Sequence, residues 1–207
     1  CVLRFLEFDE SGALDMEHLD KVWTDKIRFV GIVHMSNVFG TINDVRKLIE
    51  YAHARDAIVM VDGAQSVPHI PVDVQELDCD FLAFSGHKMC APMGIGVLYG
   101  KEKILEETPP FMGGGEMISA VWLDHATWAE LPHKFEAGTP NVGGAVGLGA
   151  AIDYLDGLGM ENIRAYEEEL AQYAVARLDG VPGLTLYGRA PERGAVLSFN
   201  LEGLHSH

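Results

Sequence analysis

The sequence predicts an α/β protein in which a parallel or mixed sheet carries helices on its faces. Short apolar runs rich in β-branched side chains recur along the first half of the chain, as buried strands do. A segment with helical spacing lies between the first two runs, which is typical of a strand–helix–strand unit. The chain has 207 residues, of which 48% are apolar and 22% charged. This ordinary globular mixture suits one large domain, or one and a fraction.

Local patterns predict the elements of the first half of the chain. Thr41 and Asn43 carry side chains that start helices, and apolar residues then recur at helical spacing, so Asn43–Arg55 is predicted to be an amphipathic helix. A short helix is expected at Lys101–Glu107 and a further helix around Gly143–Leu158. Four apolar runs predict strands, and these are Ile27–Val33, Ala57–Val61, Phe81–Phe84 and Ile95–Tyr99.

The second half of the chain predicts a change of domain. Pro109–Gly144 is rich in loop-forming residues, and Gly157-Leu158-Gly159 predicts a hinge. A helix follows with Glu167, Glu168 and Glu169 as a solvated surface. Its opposite, apolar face holds Ile163, Tyr166, Leu170, Tyr173 and Ala174. Strands of a smaller domain are predicted at Leu184–Tyr187 and Ala195–Leu201. We therefore expect residues 1–156 to be part of a large domain and residues 157–207 to begin a small one.

Charge and cysteine usage exclude several classes of protein. Fifteen Lys and Arg against 31 Asp and Glu give a net charge of −16, which would repel nucleic acid and anionic membranes. The charge-free stretch 137–152 is too short and too rich in glycine to span a membrane. Three cysteines form no disulfide framework, which favours a reducing, cytoplasmic compartment. His205 and His207 lack a third ligand, so no metal site is predicted.

Two polar residues directly follow predicted strands. Asp62 ends the second strand and Lys88 follows the third, and ligands bind at the carboxyl ends of strands in open α/β sheets. An amine and a carboxylate placed there suit pyridoxal 5′-phosphate (PLP), because lysine forms a Schiff base with its aldehyde and aspartate keeps its pyridine nitrogen protonated. Ser85 and His87 are placed to donate to the phosphate, and Gln65 to the phenolic oxygen. The spacing alone leaves open a simple Asp62–Lys88 ion pair.

Several sequence motifs, taken in order, also resemble those of a known protein family. Five motifs occur in order, and these are His34-Met-Ser-Asn37-Val-Phe-Gly-Thr, Val61-Asp62-Gly-Ala-Gln65-Ser, Asp78-Cys-Asp80-Phe, Phe84-Ser-Gly-His-Lys88-Met and Phe135-Glu-Ala-Gly-Thr139-Pro-Asn141. Together they resemble the class V aminotransferase family, fold type I of the PLP enzymes. Pro71-Val-Asp-Val-Gln75 and Gly113-Gly-Gly-Glu-Met-Ile118 are similar to the SUF-type cysteine desulfurases. The resemblance covers the whole chain and implies a mixed, mostly parallel sheet followed by the start of a smaller α+β domain.

The resemblance implies a role for each candidate residue. Lys88 would form the Schiff base and shuttle the proton, Asp62 would pair with the pyridine nitrogen, and Gln65 would bond the phenolic oxygen. Ser85 and His87 would hold the phosphate, Asn37 would lie near the phenolic oxygen and the substrate carboxylate, and Thr139 would reach the phosphate bound by a neighbouring subunit. The protein would then be a homodimer that removes sulfur from L-cysteine, leaves L-alanine, and passes persulfide sulfur to an acceptor protein for iron–sulfur cluster assembly.

Departures from the family pattern keep other readings open. The lysine loop usually continues Met-Tyr-Gly-Pro but here reads Met89-Cys90-Ala91-Pro92, and Lys134 stands where the family usually has arginine. Cys79 is expected to face the core with a raised pKa, and Cys90 to be an inert loop residue. The family's persulfide cysteine, carboxylate-binding arginine and ring-stacking histidine have no counterparts in this chain, so we expect an inactive central fragment. A selenocysteine lyase, another class V enzyme, or a non-catalytic domain of the same fold remain alternatives.

Overall fold

A four-stranded mixed sheet forms the centre of the computed structural model, which describes residues 1–205, so that His207 of the predicted histidine pair lies outside the described residues. The strands pair in the order β1-β2-β3-β4. The first three run parallel, with Val33 opposite Asp62 and Asp62 opposite Ala83, and β4 runs antiparallel to β3. The strands are β1 Phe29–Val33, β2 Ile58–Asp62, β3 Phe81–Ser85 and β4 Gly96–Gly100. The predicted α/β class and mixed, mostly parallel sheet are confirmed.

Six helices and two small antiparallel sheets complete the fold. The helices are α1 Leu19–Val22, α2 Val45–His53, α3 Val74–Leu77, α4 Glu102–Glu107, α5 Val142–Leu158 and α6 Met160–Leu178. Strand β5 Ile118–Val121 pairs with β6 Ala126–Trp128, and β7 Leu184–Tyr187 pairs with β8 Ser198–Leu201. No helix within residues 1–205 is long and apolar enough to cross a membrane.

Helix α2 covers one face of the sheet and forms the main core with it. Its N-cap is Asp44, whose side chain accepts a hydrogen bond from the backbone N–H of Lys47 at 3.1 Å. Apolar residues at helical spacing then point at the sheet, and burial of each such side chain contributes about 1.5–3 kcal/mol. The buried residues of α2 are Val45, Leu48, Ile49 and Ala52, and they pack with Val59 and Val61 of β2.

A cluster of charged side chains lies at the amino ends of β2 and β3 and contacts the end of α2. Asp80 is buried, and its carboxylate accepts a hydrogen bond from the Val59 N–H at 2.7 Å and contacts His53 Nε2 at 2.8 Å. Lys101 Nζ lies 2.6 Å from an oxygen of Asp78 and 3.2 Å from one of Asp80. The hydrogen bond from Lys101 lowers the pKa of Asp78. Burial opposes the charge on Lys101, but its bonds to both carboxylates outweigh this and raise its pKa. The Asp78-Cys-Asp80-Phe motif therefore has a structural role.

The second half differs from the prediction in three places. The loop-rich segment contains the β5–β6 hairpin. The predicted hinge is reduced to Gly159, whose φ of +84° lets α5 turn directly into α6. Glu167 is not part of a solvated surface, because it is half-buried and its carboxylate contacts His69 Nδ1 at 2.7 Å. The division into residues 1–156 and 157–207 stays a prediction.

The apolar face predicted for the second long helix is only partly covered. Ile163 packs beside Leu148 and Leu155 of α5, but Tyr166, Leu170 and Tyr173 are exposed. The last predicted strand is also shorter than expected and begins at Ser198. Shortly before this strand the chain pairs with the segment after β1. Gly194 N–H donates to the Gly40 carbonyl, and the Glu192 carbonyl accepts from Ile42 N–H.

Replacing Lys101 with methionine should lower the free energy of unfolding by about 1–3 kcal/mol at neutral pH, because Asp80 is left buried without its cation and Lys101 itself is partly solvent-screened. Asp78 has a lowered pKa when folded, so its contribution is present above the usual aspartate pKa of 3.8 and is lost as the pH falls through the lowered value. Urea unfolding at pH 7 and pH 3 measures this, with exposed Lys103→Met as the control. An equal effect of Lys101→Met at both pH values would contradict the ion-pair account.

Candidate active site

Polar side chains follow the carboxyl ends of three neighbouring parallel strands. Asn37 lies in the turn after β1, Asp62 is the last residue of β2, and Ser85 ends β3. Lys88 closes a 3₁₀ turn, Gly86–Lys88, that follows β3 directly. Because the three strands are parallel and adjacent, these residues stand at one edge of the sheet, as the sequence predicts.

Asp62 is held in an exposed position at this edge. Its carboxylate accepts a hydrogen bond from the Ala64 N–H at 2.9 Å, and the next residue, Gly63, donates its N–H to the Ala83 carbonyl at 2.8 Å. A Cβ added to Gly63 would lie 3.1 Å from a Val67 methyl group, so the chain leaves the strand by a closely packed turn. The carboxylate therefore keeps acceptor capacity for a ligand.

The Lys88 turn is rigid in its backbone but its amine is unpaired. Gly86 N–H donates to the Ile95 carbonyl at 2.9 Å, and the Gly86 carbonyl accepts from the Met89 N–H at 2.9 Å. A Cβ on Gly86 would lie 2.8 Å from an Ile95 methyl group. Within residues 1–205 the Lys88 amine makes no hydrogen bond and no ion pair, so the simple Asp62–Lys88 ion pair that the spacing leaves open does not form.

Ser85 directly precedes the same turn, His87 is its middle residue, and the two side chains contact each other. Ser85 Oγ lies 2.7 Å from His87 Nδ1, and both groups are open to solvent. A hydroxyl and an imidazole placed side by side can both donate to an anionic oxygen when the imidazole is protonated or in the suitable tautomer. The pair is therefore a donor set suited to phosphate.

Asn37 lies on a turn that the C-terminal part of the chain supports. Ser36 Oγ accepts from the backbone N–H groups of Val38 at 3.2 Å and Phe39 at 3.1 Å, which fixes the turn. The pairing of Gly40 and Gly194 holds its far side. The Asn37 side chain itself is exposed and makes no hydrogen bond to the described residues.

Gln65 and Thr139 are the most weakly tied of the predicted site residues. Gln65 lies in the turn after Asp62, which the Val67 N–H closes by donating to the Gly63 carbonyl at 3.0 Å, and its amide has no partner among the described residues. Thr139 is exposed in the segment before α5, and its hydroxyl contacts none of the strand-end residues within residues 1–205. The parallel strands therefore place six of the seven predicted site residues at one edge, while Thr139 lies in the segment before α5 and makes no hydrogen bond to any of them.

The structure shows surroundings for His34, Lys134 and Asn141 that the sequence did not predict. Burial lowers the pKa of His34, whose Nδ1 has no partner among the described residues. Lys134 is buried, and its amine donates to the carbonyls of Leu105 at 3.0 Å and Glu106 at 2.8 Å, at the end of α4. Asn141 caps α5. The sequence held a usable signal for Asn141, because asparagine can cap a helix by accepting a hydrogen bond from the backbone N–H three residues later, here that of Gly144.

The three cysteines differ in burial, and the predicted core position of Cys79 is confirmed. Cys79 is fully buried, and burial raises the pKa of its thiol. Cys1 and Cys90 are exposed, and Cys90 has a φ of +64°, in the left-handed region. Within residues 1–205 no group of three or more His, Cys, Asp or Glu side chains is arranged to hold a metal ion.

Comparisons with known proteins agree on one family. The profile of the aminotransferase class-V family matches residues 1–207. A probable cysteine desulfurase of Synechocystis sp. is 53% identical over 209 residues, which cover 100% of this chain and 50% of that protein. The cysteine desulfurase structure from Thermococcus onnurineus matches with a TM-score of 0.92 at 40% identity, covering 98% of this chain and 51% of that one. A C-DES mutant with glycine covalently linked to its PLP cofactor matches with a TM-score of 0.80 at 25% identity, covering 89% and 50%. The chain thus spans about half the length of the relatives it matches.

A thiol reagent should modify Cys90 and Cys1 rapidly and Cys79 only after unfolding, because the Cys79 thiol is buried and its pKa is raised. Mass spectrometry of peptides after timed alkylation in native buffer and in denaturant gives the three rates separately. The variant Cys79→Ala should leave the native labelling pattern unchanged. Labelling of Cys79 in native buffer at the rate of Cys90 would contradict the buried position of the Cys79 side chain before β3.

Proposed function

The chain belongs to the aminotransferase class-V family, and we propose that it is the central part of a PLP-dependent cysteine desulfurase. The reaction removes the sulfur of L-cysteine, leaves L-alanine, and transfers the sulfur to a protein thiol as a persulfide. Iron–sulfur cluster assembly through a sulfur-acceptor protein is the proposed destination, by resemblance to the SUF-type enzymes. The observation that carries the proposal is the unpaired Lys88 amine, presented by a rigid turn at the sheet edge that Asp62 also occupies.

The donor set of this edge fits PLP group by group. Lys88 offers an amine that no carboxylate of the described chain neutralises, Asp62 offers a carboxylate with spare acceptor capacity, and Ser85 with His87 offers two adjacent phosphate donors. The backbone also comes close at this edge, since a Cβ on Gly96 would lie 2.7 Å from the Phe84 carbonyl oxygen. When bound, PLP supplies an aldehyde that can be linked to an amine and a protonated ring that withdraws electrons from an amino-acid Cα.

Each residue then has a task that its position supports. Lys88 would hold the cofactor through its aldehyde, and its amine would move a proton at the substrate Cα. Asp62 would pair with the pyridine nitrogen, because its exposed carboxylate accepts only the Ala64 N–H within the described chain and keeps acceptor capacity for a ligand. The remaining assignments follow the family resemblance. Gln65 bonds the phenolic oxygen, Ser85 and His87 bind the phosphate, Asn37 orients the substrate carboxylate, and Thr139 reaches the phosphate of a neighbouring subunit.

The exposed position of Thr139 is consistent with a homodimeric site. Its hydroxyl makes no hydrogen bond to the described residues of its own chain, so it is available to a second copy. We propose the same split as the sequence predicts, with residues 1–156 in the cofactor-binding domain and residues 157–207 in the small domain. A cytoplasmic location is proposed from the three unpaired cysteines.

The thiol that accepts sulfur is not assigned to this chain. Cys79 is buried, and Cys90 lies in the backbone turn after Lys88. Lys88 and Asp62 serve a selenocysteine lyase or another class V enzyme equally well, so substrate choice is the point that the experiment must separate. The relatives named cysteine desulfurase favour L-cysteine.

Borohydride reduction of the intact protein loaded with PLP should fix the cofactor on the peptide that contains Lys88, because this amine has no competing carboxylate within reach. Peptide mass spectrometry locates the label, and Lys88→Ala should abolish it. Lys101→Met is the matched control, since Lys101 is engaged with Asp78 and Asp80 and should not carry cofactor. Label on any other lysine in the unaltered protein would overturn the assignment.

The intact protein should convert L-cysteine to L-alanine with one sulfur per alanine, and Asp62→Asn should reduce turnover by at least about a hundredfold while cofactor content falls much less. The neutral amide cannot hold the ring proton on which electron withdrawal depends. Alanine and sulfide assays give turnover, and absorbance gives cofactor content. Asp73→Asn makes the same chemical change at the cap of α3 and should leave turnover unchanged. Turnover with L-selenocysteine but not L-cysteine would favour the lyase instead.

A further inference from the structure

The first residue before α5 makes two hydrogen bonds that join separate parts of the site. Asn141 Oδ1 accepts from the backbone N–H of Gly144 at 3.0 Å and so caps the helix. Its Nδ2 donates to the Gly94 carbonyl at 3.0 Å, across 47 residues of sequence. Gly94 belongs to the loop that follows Lys88. One side chain therefore starts α5 and holds the lysine loop at the same time.

Helix α5 meets the lysine loop at two further points. Pro92 lies so close to Gly147 that a Cβ on Gly147 would be 2.6 Å from the proline Cγ. Met89 is buried and packs with Leu148 and Leu155 of the same helix. These apolar contacts press the loop onto the helix, but they do not fix its position along the helix. The hydrogen bond from Asn141 is directional and does so.

The backbone connects Gly94 to Lys88 by a short path. Gly94 has a φ of +84° and leads directly into Ile95, whose carbonyl accepts the Gly86 N–H at 2.9 Å. The Gly86 carbonyl in turn accepts from the N–H groups of Met89 and Ala91. The turn that carries Lys88 is thus bonded at its first residue to Ile95, which directly follows the residue that Asn141 holds.

Lys88 depends on this support more than most side chains do. Its amine has no hydrogen bond or ion pair within the described residues, so no polar contact there corrects for a movement of the turn that places its Cα. A displacement of the turn moves the amine by a similar amount, and reacting groups must be placed closely for efficient reaction.

We propose that Asn141 is a positioning residue for Lys88, which it serves through the Gly94 carbonyl. Aspartate, serine and threonine would cap α5 as well as asparagine, but none of them at neutral pH combines the cap acceptor with a donor that reaches Gly94. The tie itself is a hydrogen bond from the Asn141 side chain to the Gly94 carbonyl, whereas its effect on cofactor chemistry rests on the proposed function.

The experiment compares Asn141→Ser with Asp44→Ala in the intact protein. Serine keeps an acceptor for the Gly144 N–H but is too short to donate to Gly94, so the helix cap survives and the tie is lost. Asp44→Ala removes the cap of α2, which does not touch the lysine loop, and serves as the control for a general loss of stability. Hydrogen exchange without cofactor, the visible spectrum with PLP across pH, and borohydride fixation at Lys88 are measured for each.

Asn141→Ser should speed exchange of the Gly86, Met89 and Ala91 amides by about tenfold, as expected for the loss of one hydrogen bond. It should also shift the pH midpoint of the cofactor absorbance and slow fixation at Lys88, whereas Asp44→Ala should change none of these. Exchange in Asn141→Ser equal to that in Asp44→Ala would overturn the positioning role. Fixation on a different lysine in the unaltered protein would overturn the proposed function instead, while the exchange result without cofactor would still decide whether the tie exists.

Discussion

Parallel pairing of β1, β2 and β3 is the constraint on which the rest of the molecule depends. The register places Val33 opposite Asp62 and Asp62 opposite Ala83, so the three strands end at the same edge of the sheet. Side chains alternate along a strand, and a slip of one residue would bring Val61 to the surface and Asp62 into the core. Buried Val59 and Val61 beside exposed Asp62 therefore fix the register and the site together. The charged cluster around Asp80 secures the opposite end of the same strands.

Close backbone packing gives the candidate site its rigidity. Gly86 and Gly96 lie where a side chain would collide with neighbouring backbone or with Ile95, and Gly147 lies against Pro92. Glycine at these positions lets a helix, a strand and a turn approach within contact distance. The amine of Lys88 stands on this packed base without a partner of its own. The candidate site thus combines a closely packed backbone with an amine that makes no hydrogen bond or ion pair within residues 1–205, which leaves it available for the role proposed for Lys88.

Contacts also join the two parts of the chain that the sequence divides. Glu167 of α6 contacts His69 in the turn beyond Gln65, and the residues around Gly194 pair with the turn that carries Asn37. Ser198 Oγ donates to the Val38 carbonyl in the same turn. The C-terminal residues therefore support two loops of the candidate site. Exposed Tyr166, Leu170 and Tyr173 show that α6 leaves much of its apolar surface uncovered within the described chain.

The sequence by itself predicted the fold class, the four central strands, helix α2 and the placement of Asp62, Ser85, His87 and Lys88 after their strands, whereas Asn37 came from the family resemblance. These features are local, since each depends on the spacing of apolar residues or on a polar residue directly after a strand. Only the tertiary structure decided that Lys88 and Asp62 form no ion pair, that Glu167 is withdrawn from solvent, and that Asn141 reaches Gly94. These outcomes concern residues that are far apart in the sequence. Asp62 and Lys88 are 26 positions apart, and His69 and Glu167 are 98 positions apart. No local pattern encodes such distances, because they are set by how helices and loops pack after the sheet has formed.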